Sequence, residues 1–209
     1  IASCLVGSEM CIRDSSIANL GSYSSNNTYS GYFDPNKCYL YKYDSTSRTT
    51  TASQSENIGR DNQSWFYPSR AATNRKCNVG RERKEWSGNF LNWVGTPTID
   101  PFRSALTGGH RFKDDTNLTV LQKARHDGSD SFGNRMTDSQ GMLPSGEVAG
   151  ATPLASNWTT VYIRLQNLNY DMLFSHWRDG IGGSNGSGTK TEEWIDYNPC
   201  LLYTSDAAD

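Results

Sequence analysis

Two stretches of the chain alternate apolar and polar residues at strand period. After the turn signal Asp34-Pro35-Asn36, the residues Tyr39, Tyr41 and Tyr43 recur at every second position, which predicts a short strand with one aromatic face. Within Asn157–Gln166, Val161, Ile163 and Leu165 share one face in the same way. Between them the period lengthens. Ser87 can cap a helical turn, after which Trp86, Phe90 and Trp93 fall at i, i+4 and i+7 on one face. Asp100-Pro101 reads as a second helix start, with Asp100 as N-cap and Pro101 as the first helical residue. Phe102, Ala105 and Leu106 form its apolar stripe, and Gly108-Gly109 its stop. A third helix is predicted from near Asp115 through "TNLTVLQKAR", burying Leu118, Leu121 and Ala124.

The connecting stretches are polar. Ser22–Ser30 reads as a surface loop, Ser45–Glu56 as Ser/Thr-rich loop, and Gly180–Lys190 as flexible loop by composition. From His126 to Ser156 the chain is rich in Gly, Ser and Asp and only weakly patterned. Arg70–Lys84 holds six basic residues with Glu82 among them, and a solvated connector is favoured there over an anion-binding patch. There is no internal repeat, and no apolar run is long enough to span a bilayer.

The two ends change the accounting. Met10-Cys11-Ile12-Arg13-Asp14 can be encoded by DNA whose opposite strand reads Cys-Leu-Leu-Tyr-Thr, the residues found at Cys200–Thr204. Inverted terminal repeats belong to DNA handling rather than to folding. Residues 4–15 and 200–209 are therefore expected to be translated sequencing-adapter sequence, leaving 16–199 as a single incomplete domain. The ends carry a net charge of −3 (Glu9, Arg13, Asp14, Asp206, Asp209), so the formal −2 of the whole becomes about +1 for the remainder. That balance gives no electrostatic argument for nucleic acid.

Of five cysteines, Cys38 and Cys77 lie outside the suspect ends. With no CxxC and no nearby pair of histidines, zinc is not suggested. Two readings stay open, a disulfide or two buried thiols, and the disulfide is favoured. It would imply an oxidising, extracytoplasmic compartment.

The runs "GYFDPNKCYLY", "WSGNFLNWVGTPTIDPFRSALTGGHR" and "DDTNLTVLQKAR" resemble the N-terminal region of PilY-type type IV pilus tip-associated adhesins, over about residues 31–125. The second run is long and specific, and the first places a Cys where the family has one. The residues that carry the match are Trp86, Ser87, Gly88, Asn89, Phe90, Leu91, Asn92, Trp93, Asp100, Arg103, Leu106, Thr107, Gly108 and Gly109, and a structural role is expected for them. In the family the equivalent of Ser87–Gly109 is an uninterrupted helical segment. Here Pro97 and Pro101 intrude, which favours two short helices.

The resemblance implies an α/β or α+β fold with short helices, few strands and much loop, as a fragment of, or insertion in, a von Willebrand factor A-like domain. It also implies an exported protein of a Gram-negative-type bacterium, at the periplasm, outer surface or pilus tip. Its partners would be pilin or minor pilin subunits and a host or abiotic surface, with no nucleic acid and no transmembrane segment.

The sites weighed for chemistry are mostly set aside. Asp44, Thr46 and Arg48 imitate an A-type metal motif, but Arg48 would bring positive charge to the cation. Asp127 and Asp130 lack the ligand alternation of a calcium loop. Gly182–Gly186 matches G-x-S-x-G only as a string, and His110, His126 and His176 have no evident carboxylate partner. No catalytic residue, metal ligand or cofactor is expected in these residues, and any divalent metal is left to other parts of the parent protein. The alternative is a secreted carbohydrate-binding or carbohydrate-active protein whose Trp86, Phe90 and Trp93 stack on sugars. Their one-face spacing favours a core stripe.

Overall fold

The computed structural model describes residues 21–42, 65–78, 85–124, 134–136, 145–154, 162–164, 172–175, 195–197 and 201–204. Ten strands and three helices lie in these residues. β1 (Lys37–Lys42), β2 (Trp65–Ala71) and β3 (Trp86–Ser87) lead into α1 (Gly88–Gly95) and α2 (Ile99–Thr107). β4 (Arg111–Asp115), β5 (Leu118–Gln122), β6 (Asn134–Met136) and α3 (Ser145–Ala151) follow. The last strands are β7 (Tyr162–Arg164), β8 (Met172–Ser175), β9 (Ile195–Tyr197) and β10 (Leu201–Thr204).

One sheet has the order β3-β1-β2-β10-β5-β4, and a second has the order β6-β7-β8-β9. Every pairing is antiparallel except the single contact of β10 with β2, Leu202 opposite Phe66. This is a small α/β arrangement of short helices and strands.

β1 forms where the alternating tyrosines predict it, although Tyr43 lies outside the described residues. β2 carries Pro68, which cannot donate to a ladder. It is accommodated because the register shifts there: Cys38 pairs with Arg70 and Tyr39 with Pro68, leaving Ser69 as the extra residue. The Ser69 hydroxyl donates to the Cys38 carbonyl at 3.0 Å.

The core lies around α1. Every residue of that helix is buried, and Phe90, Leu91, Trp93 and Val94 join Tyr23, Phe33, Tyr39, Phe66 and Trp86 in one cluster. An eight-residue helix is too short to persist alone in water, so packing holds it. Its aromatic rings meet edge-on or offset, Tyr23 with Phe90 at 5.4 Å and Trp86 with Phe90 at 5.9 Å between centroids. Val148 and Ala151 of α3, with Leu154 after it, close another side.

Several expectations are corrected. Trp86 is not on the helix but in β3, one residue before the cap, although it still stacks on Phe90. α2 starts at Ile99, so Asp100 is inside its first turn rather than its N-cap. The stripe of α2 faces outward, with Phe102 61% and Leu106 80% exposed and Ala105 exposed as well. Gly108 does end the helix, at φ 74°, and the Gly108 and Gly109 amides donate to Ser104 and Arg103 carbonyls at 3.1 and 3.0 Å.

The third predicted helix is instead the hairpin β4–β5, with Asp115 opposite Leu118 across Thr116-Asn117. Leu118, Leu121 and Ala124 fit a helical period, but turn residues and the β-branched pair Thr119-Val120 decide for strands. The weakly patterned stretch 126–156 contains β6 and α3. Of the strand predicted over 157–166, Tyr162–Arg164 is described and is a strand. β10 lies in residues read above as foreign.

Candidate functional site

The segment Ser87–Trp93 grips the loop that precedes β1. Ser87 is extended at φ −72° and ψ 127°; its hydroxyl accepts from the Phe90 amide at 3.4 Å and donates to the Arg75 carbonyl at 2.6 Å. A side chain at Gly88 would collide with the Asp34 carbonyl and the Tyr39 ring. Asn89 accepts from the Tyr29 amide at 3.0 Å and donates to the Asn27 carbonyl at 2.9 Å. Asn92, one turn on, accepts from the Phe33 amide at 3.0 Å and donates to the Phe33 and Tyr29 carbonyls at 2.7 and 2.9 Å. Trp93 adds a bond from its indole N–H to the Gly21 carbonyl at 3.0 Å.

A helix buried on every side leaves its polar side chains no water. Both asparagines are satisfied by loop backbone instead. The result is a clamp: apolar residues fill the core while two amides three residues apart hold the backbone of 27–33. The hydroxyl of Tyr23 sits beside Ser87 and Asn89, and burial pushes its pKa up to about 12.

A second tie joins the start of the clamp to the sheet. Cys38 and Cys77 form a disulfide with their Cα atoms 5.7 Å apart. Beside it the Asn78 amide donates to the Glu85 and Thr152 carbonyls at 2.6 and 2.9 Å, and accepts from the Glu85 amide at 3.2 Å. The Glu85 carboxylate takes Arg70 at 2.6 Å and the Ser69 hydroxyl at 2.7 Å, while Arg70 also reaches the Cys77 carbonyl. Arg75 donates to the Ser25 carbonyl at 2.8 Å, and Lys76 pairs with Glu147 at 3.5 Å. The described part of the basic stretch is therefore engaged internally. Arg81, Arg83 and Lys84 lie outside the described residues.

The third feature is a small pocket with room for about one water molecule, lined by Tyr32, Phe33, Leu91, Thr96, Asp100, Leu121 and Lys123. Asp100 is fully buried, and its Oδ2 accepts from the Ala124 amide at 2.9 Å. Arg103 approaches Oδ1 at 3.7 Å. Desolvation dominates, raising Asp100 to a pKa of about 6 against the opposing pull of the Ala124 amide, Lys123, Tyr32 and Arg103. The same burial, with Asp100 nearby, raises the Tyr32 hydroxyl; that hydroxyl accepts from the His110 amide at 3.1 Å. Burial and Arg103 lower the pKa of His110. These contacts fasten the start of α2 to the end of β5.

All the family-motif residues thus fall in one connected region, and their roles divide. Trp86, Phe90, Leu91 and Trp93 are core; Ser87, Gly88, Asn89 and Asn92 form the clamp. Asp100 and Arg103 form the tie to β5. Thr107, Gly108 and Gly109 end α2, with the Thr107 hydroxyl donating to the Arg103 carbonyl at 2.9 Å. Leu106 is exposed. Sequence reasoning missed Asn78, Tyr32 and Lys123. The signal for Lys123 was a charge closing the apolar run 118–121.

Trp86, Phe90 and Trp93 are at most 1% exposed, so they offer no face to a sugar. Among the described residues no three His, Cys, Asp or Glu side chains are placed to hold a metal, and no helix is long and apolar enough to cross a membrane. Asp44, Thr46, Arg48, Asp127, Asp130, His126, His176 and Gly182–Gly186 lie outside the described residues.

Clamp, disulfide and sheet together define a small α/β module built to hold a shape. A family model described as "PilY1 homolog, small alpha/beta domain" matches residues 21–176, and the chain belongs to that family. It is also 37% identical over 167 residues to the type IV pilus biogenesis factor PilY1 homolog of Xylella fastidiosa (strain Temecula1). That match covers 77% of this chain but 12% of the relative, so the chain spans a small part of the relative's length. No solved structure matches the chain.

Proposed function

We propose that this chain is a non-catalytic scaffold module of an exported type IV pilus biogenesis factor, a protein that supports pilus assembly and carries attachment to a host or abiotic surface. The observation that carries the reading is the fate of the family motif. Its polar residues are spent on loop backbone and its aromatics on the core, which leaves no open cleft with convergent chemistry among the described residues. The Cys38–Cys77 disulfide fits an oxidising compartment at the periplasm, outer surface or pilus tip. Pilin or minor pilin subunits are the partners this reading requires, and it requires no cofactor within the module. Any divalent metal belongs to other parts of the parent.

The module is read as an insertion in, or neighbour of, a von Willebrand factor A-like domain. The antiparallel pairing of its sheets favours insertion over a fragment of a doubly wound parallel sheet. The test is to place Asn92→Ala or the paired Cys38→Ser/Cys77→Ser change in the parent gene of a piliated bacterium. Sheared surface pili and adherent cells are then counted. Loss of both, with the parent still exported, is expected. Normal piliation and attachment would overturn the scaffold role.

A further inference from the structure

We propose that Asn117, at the tip of the β4–β5 hairpin, is an acceptor site for an N-linked glycan, taken from a lipid-pyrophosphate-linked oligosaccharide outside the cytoplasm. The triplet Asn117-Leu118-Thr119 has the acceptor pattern of an asparagine followed two residues later by Ser or Thr. Four other triplets share it, at Asn26, Asn62, Asn157 and Asn185. Asn117 stands apart from them in charge and in placement.

Two residues ahead of Asn117 is Asp115, whereas the matching positions of the other triplets hold Ser24, Arg60, Ala155 and Gly183. The Asp115 side chain is 60% exposed, so a transferase with a cationic group beside its acceptor groove can pair with it. Its partner in the folded chain is Lys113 at 3.0 Å, a surface ion pair weak enough to give way.

Asp115 opposite Leu118 closes the hairpin and leaves Thr116-Asn117 as its loop, and residues 111–117 are all exposed. A glycan there projects into solvent without meeting the core. Asn is common in turns partly because it tolerates a left-handed backbone, as Asn74 does at φ 51°. Asn117 has no positive φ, and its side chain takes up no hydrogen bond among the described residues, so the turn does not account for it. Asn26 is exposed as well, but the residue after it is locked, because the Asn27 carbonyl is held by Asn89 of the clamp. Around Asn117 the side-chain ties are exposed ones, Thr119 to Asp114 at 2.9 Å and Lys113 to Asp115, so the hairpin can open at its tip. Asn62, Asn157 and Asn185 lie outside the described residues.

In the transfer, the Asn117 side-chain nitrogen bonds to the anomeric carbon as that carbon's bond to the pyrophosphate oxygen breaks. The lipid pyrophosphate leaves with the electron pair, and the amide nitrogen gives one proton to a base of the transferase. No oxidant or reductant is needed. Because the transfer takes place outside the cytoplasm, the site rests on the exported reading above and not on the scaffold role.

The test directs the full chain to the periplasm of a host that carries a bacterial oligosaccharyltransferase and its undecaprenyl-linked oligosaccharide. Intact mass and glycopeptide mapping are read on the purified chain, beside Asn117→Gln and Asp115→Asn. Near-ultraviolet dichroism of the buried tryptophans checks that all three are folded, and a synthetic peptide of residues 113–121 is offered to the purified transferase. The expected result is one glycan per chain, at Asn117, absent from Asn117→Gln and lowered about tenfold in Asp115→Asn. A chain and peptide that both stay unmodified would overturn the proposal. Modification of the peptide alone would overturn it too, because the hairpin tip would then be closed to the enzyme. So would a glycan carried as readily at Asn26, or occupancy that Asp115→Asn leaves unchanged. Piliation plays no part in these readouts, so a failed scaffold role and a failed acceptor site are told apart.

Discussion

Asn92 holds Phe33 by both of its backbone polar groups: the side-chain oxygen takes the Phe33 amide at 3.0 Å, and the side-chain nitrogen reaches the Phe33 carbonyl at 2.7 Å. A side chain here stands in for a neighbouring strand, giving the loop the pairing that a ladder would have supplied. The arrangement also explains the glycine at position 31, where a Cβ would strike the Asn92 amide and the Thr96 hydroxyl.

Asn92→Ala removes the partner of three buried backbone groups at once. Each group left without a bond costs about 1–3 kcal/mol, and relaxation with water entry recovers part of it. A loss of about 3 kcal/mol is expected by urea denaturation, with Asn89→Ala losing less because it has two loop bonds rather than three. A change below about 0.5 kcal/mol, the level of an ordinary surface substitution, would refute the clamp.

The disulfide closes a span of 39 residues in sequence. On the chain-entropy account this stabilises by about 4 kcal/mol. Cys38→Ser/Cys77→Ser should therefore lower the urea midpoint strongly and raise the slope, because the unfolded chain without its cross-link exposes more surface. Peptide mapping without reductant should recover Cys38 and Cys77 in one linked fragment. Recovery of both as separate, alkylated thiols would remove the oxidising-compartment argument.

What the sequence made legible was local. Tyr39 and Tyr41 announced β1, Ser87 announced the helix cap, and Gly108 announced a stop that its positive φ requires. Illegible were features decided by distant partners. Leu118, Leu121 and Ala124 satisfy a helical period as well as a strand, and pairing with β4 completes the choice that the turn residues and Thr119-Val120 favour. β2 was not among the strands read from the sequence, and the register shift opposite Tyr39 that admits its Pro68 depends on β1. The roles of Asn89 and Asn92 were equally hidden. Nothing in "GNFLNW" says that the loop carrying Tyr29 and Phe33 folds back over it, although polar residues inside an aromatic stripe are the kind of local conflict that marks a tertiary contact.

Asp100 gives the molecule a predictable pH response. Its folded pKa of about 6 lies above its ordinary 3.8, so between those values the folded state binds a proton that the unfolded state has released. Stability from this group is therefore fully present at pH values below about 4 and is lost as pH rises through 6. The two-unit gap corresponds to about 3 kcal/mol. Asn at this position can still accept from the Ala124 amide but does not ionise. Asp100→Asn should thus gain on the parent protein as pH rises from 4 to 7. His110, lowered in pKa, contributes the opposite slope near pH 6, but it is common to both proteins and cancels in the comparison. A difference between them that does not change with pH would show that Asp100 keeps an ordinary pKa.

The exposed face of α2 should tolerate change. Phe102 and Leu106 are 61% and 80% exposed, so replacing either with Ser removes little buried area. Leu106→Ser is expected to stay within about 0.5 kcal/mol of the parent protein. A larger loss would mean that this face is covered in solution, and light scattering across a dilution series would show whether a second copy covers it.

Two glycines separate space from backbone conformation. Gly108 sits at φ 74°, with nothing nearer to an added Cβ than the Arg111 guanidinium at 3.9 Å, so Gly108→Ala meets strain but no collision. A cost of about 1 kcal/mol is expected. Gly88 has no positive φ, yet a Cβ there would drive into the Asp34 carbonyl and the Tyr39 ring, neither of which can swing aside while the Tyr39 hydroxyl accepts from the Asp34 amide at 2.8 Å. Gly88→Ala must displace either the turn at Asp34 or the first turn of α1, and overpacking of this kind costs about 1–3 kcal/mol or more. Thermal melts of the two variants side by side test the assignment. If Gly108→Ala is the more damaging, the approach of Asp34 to the helix start is looser than described, and the clamp would have to rest on the asparagines alone.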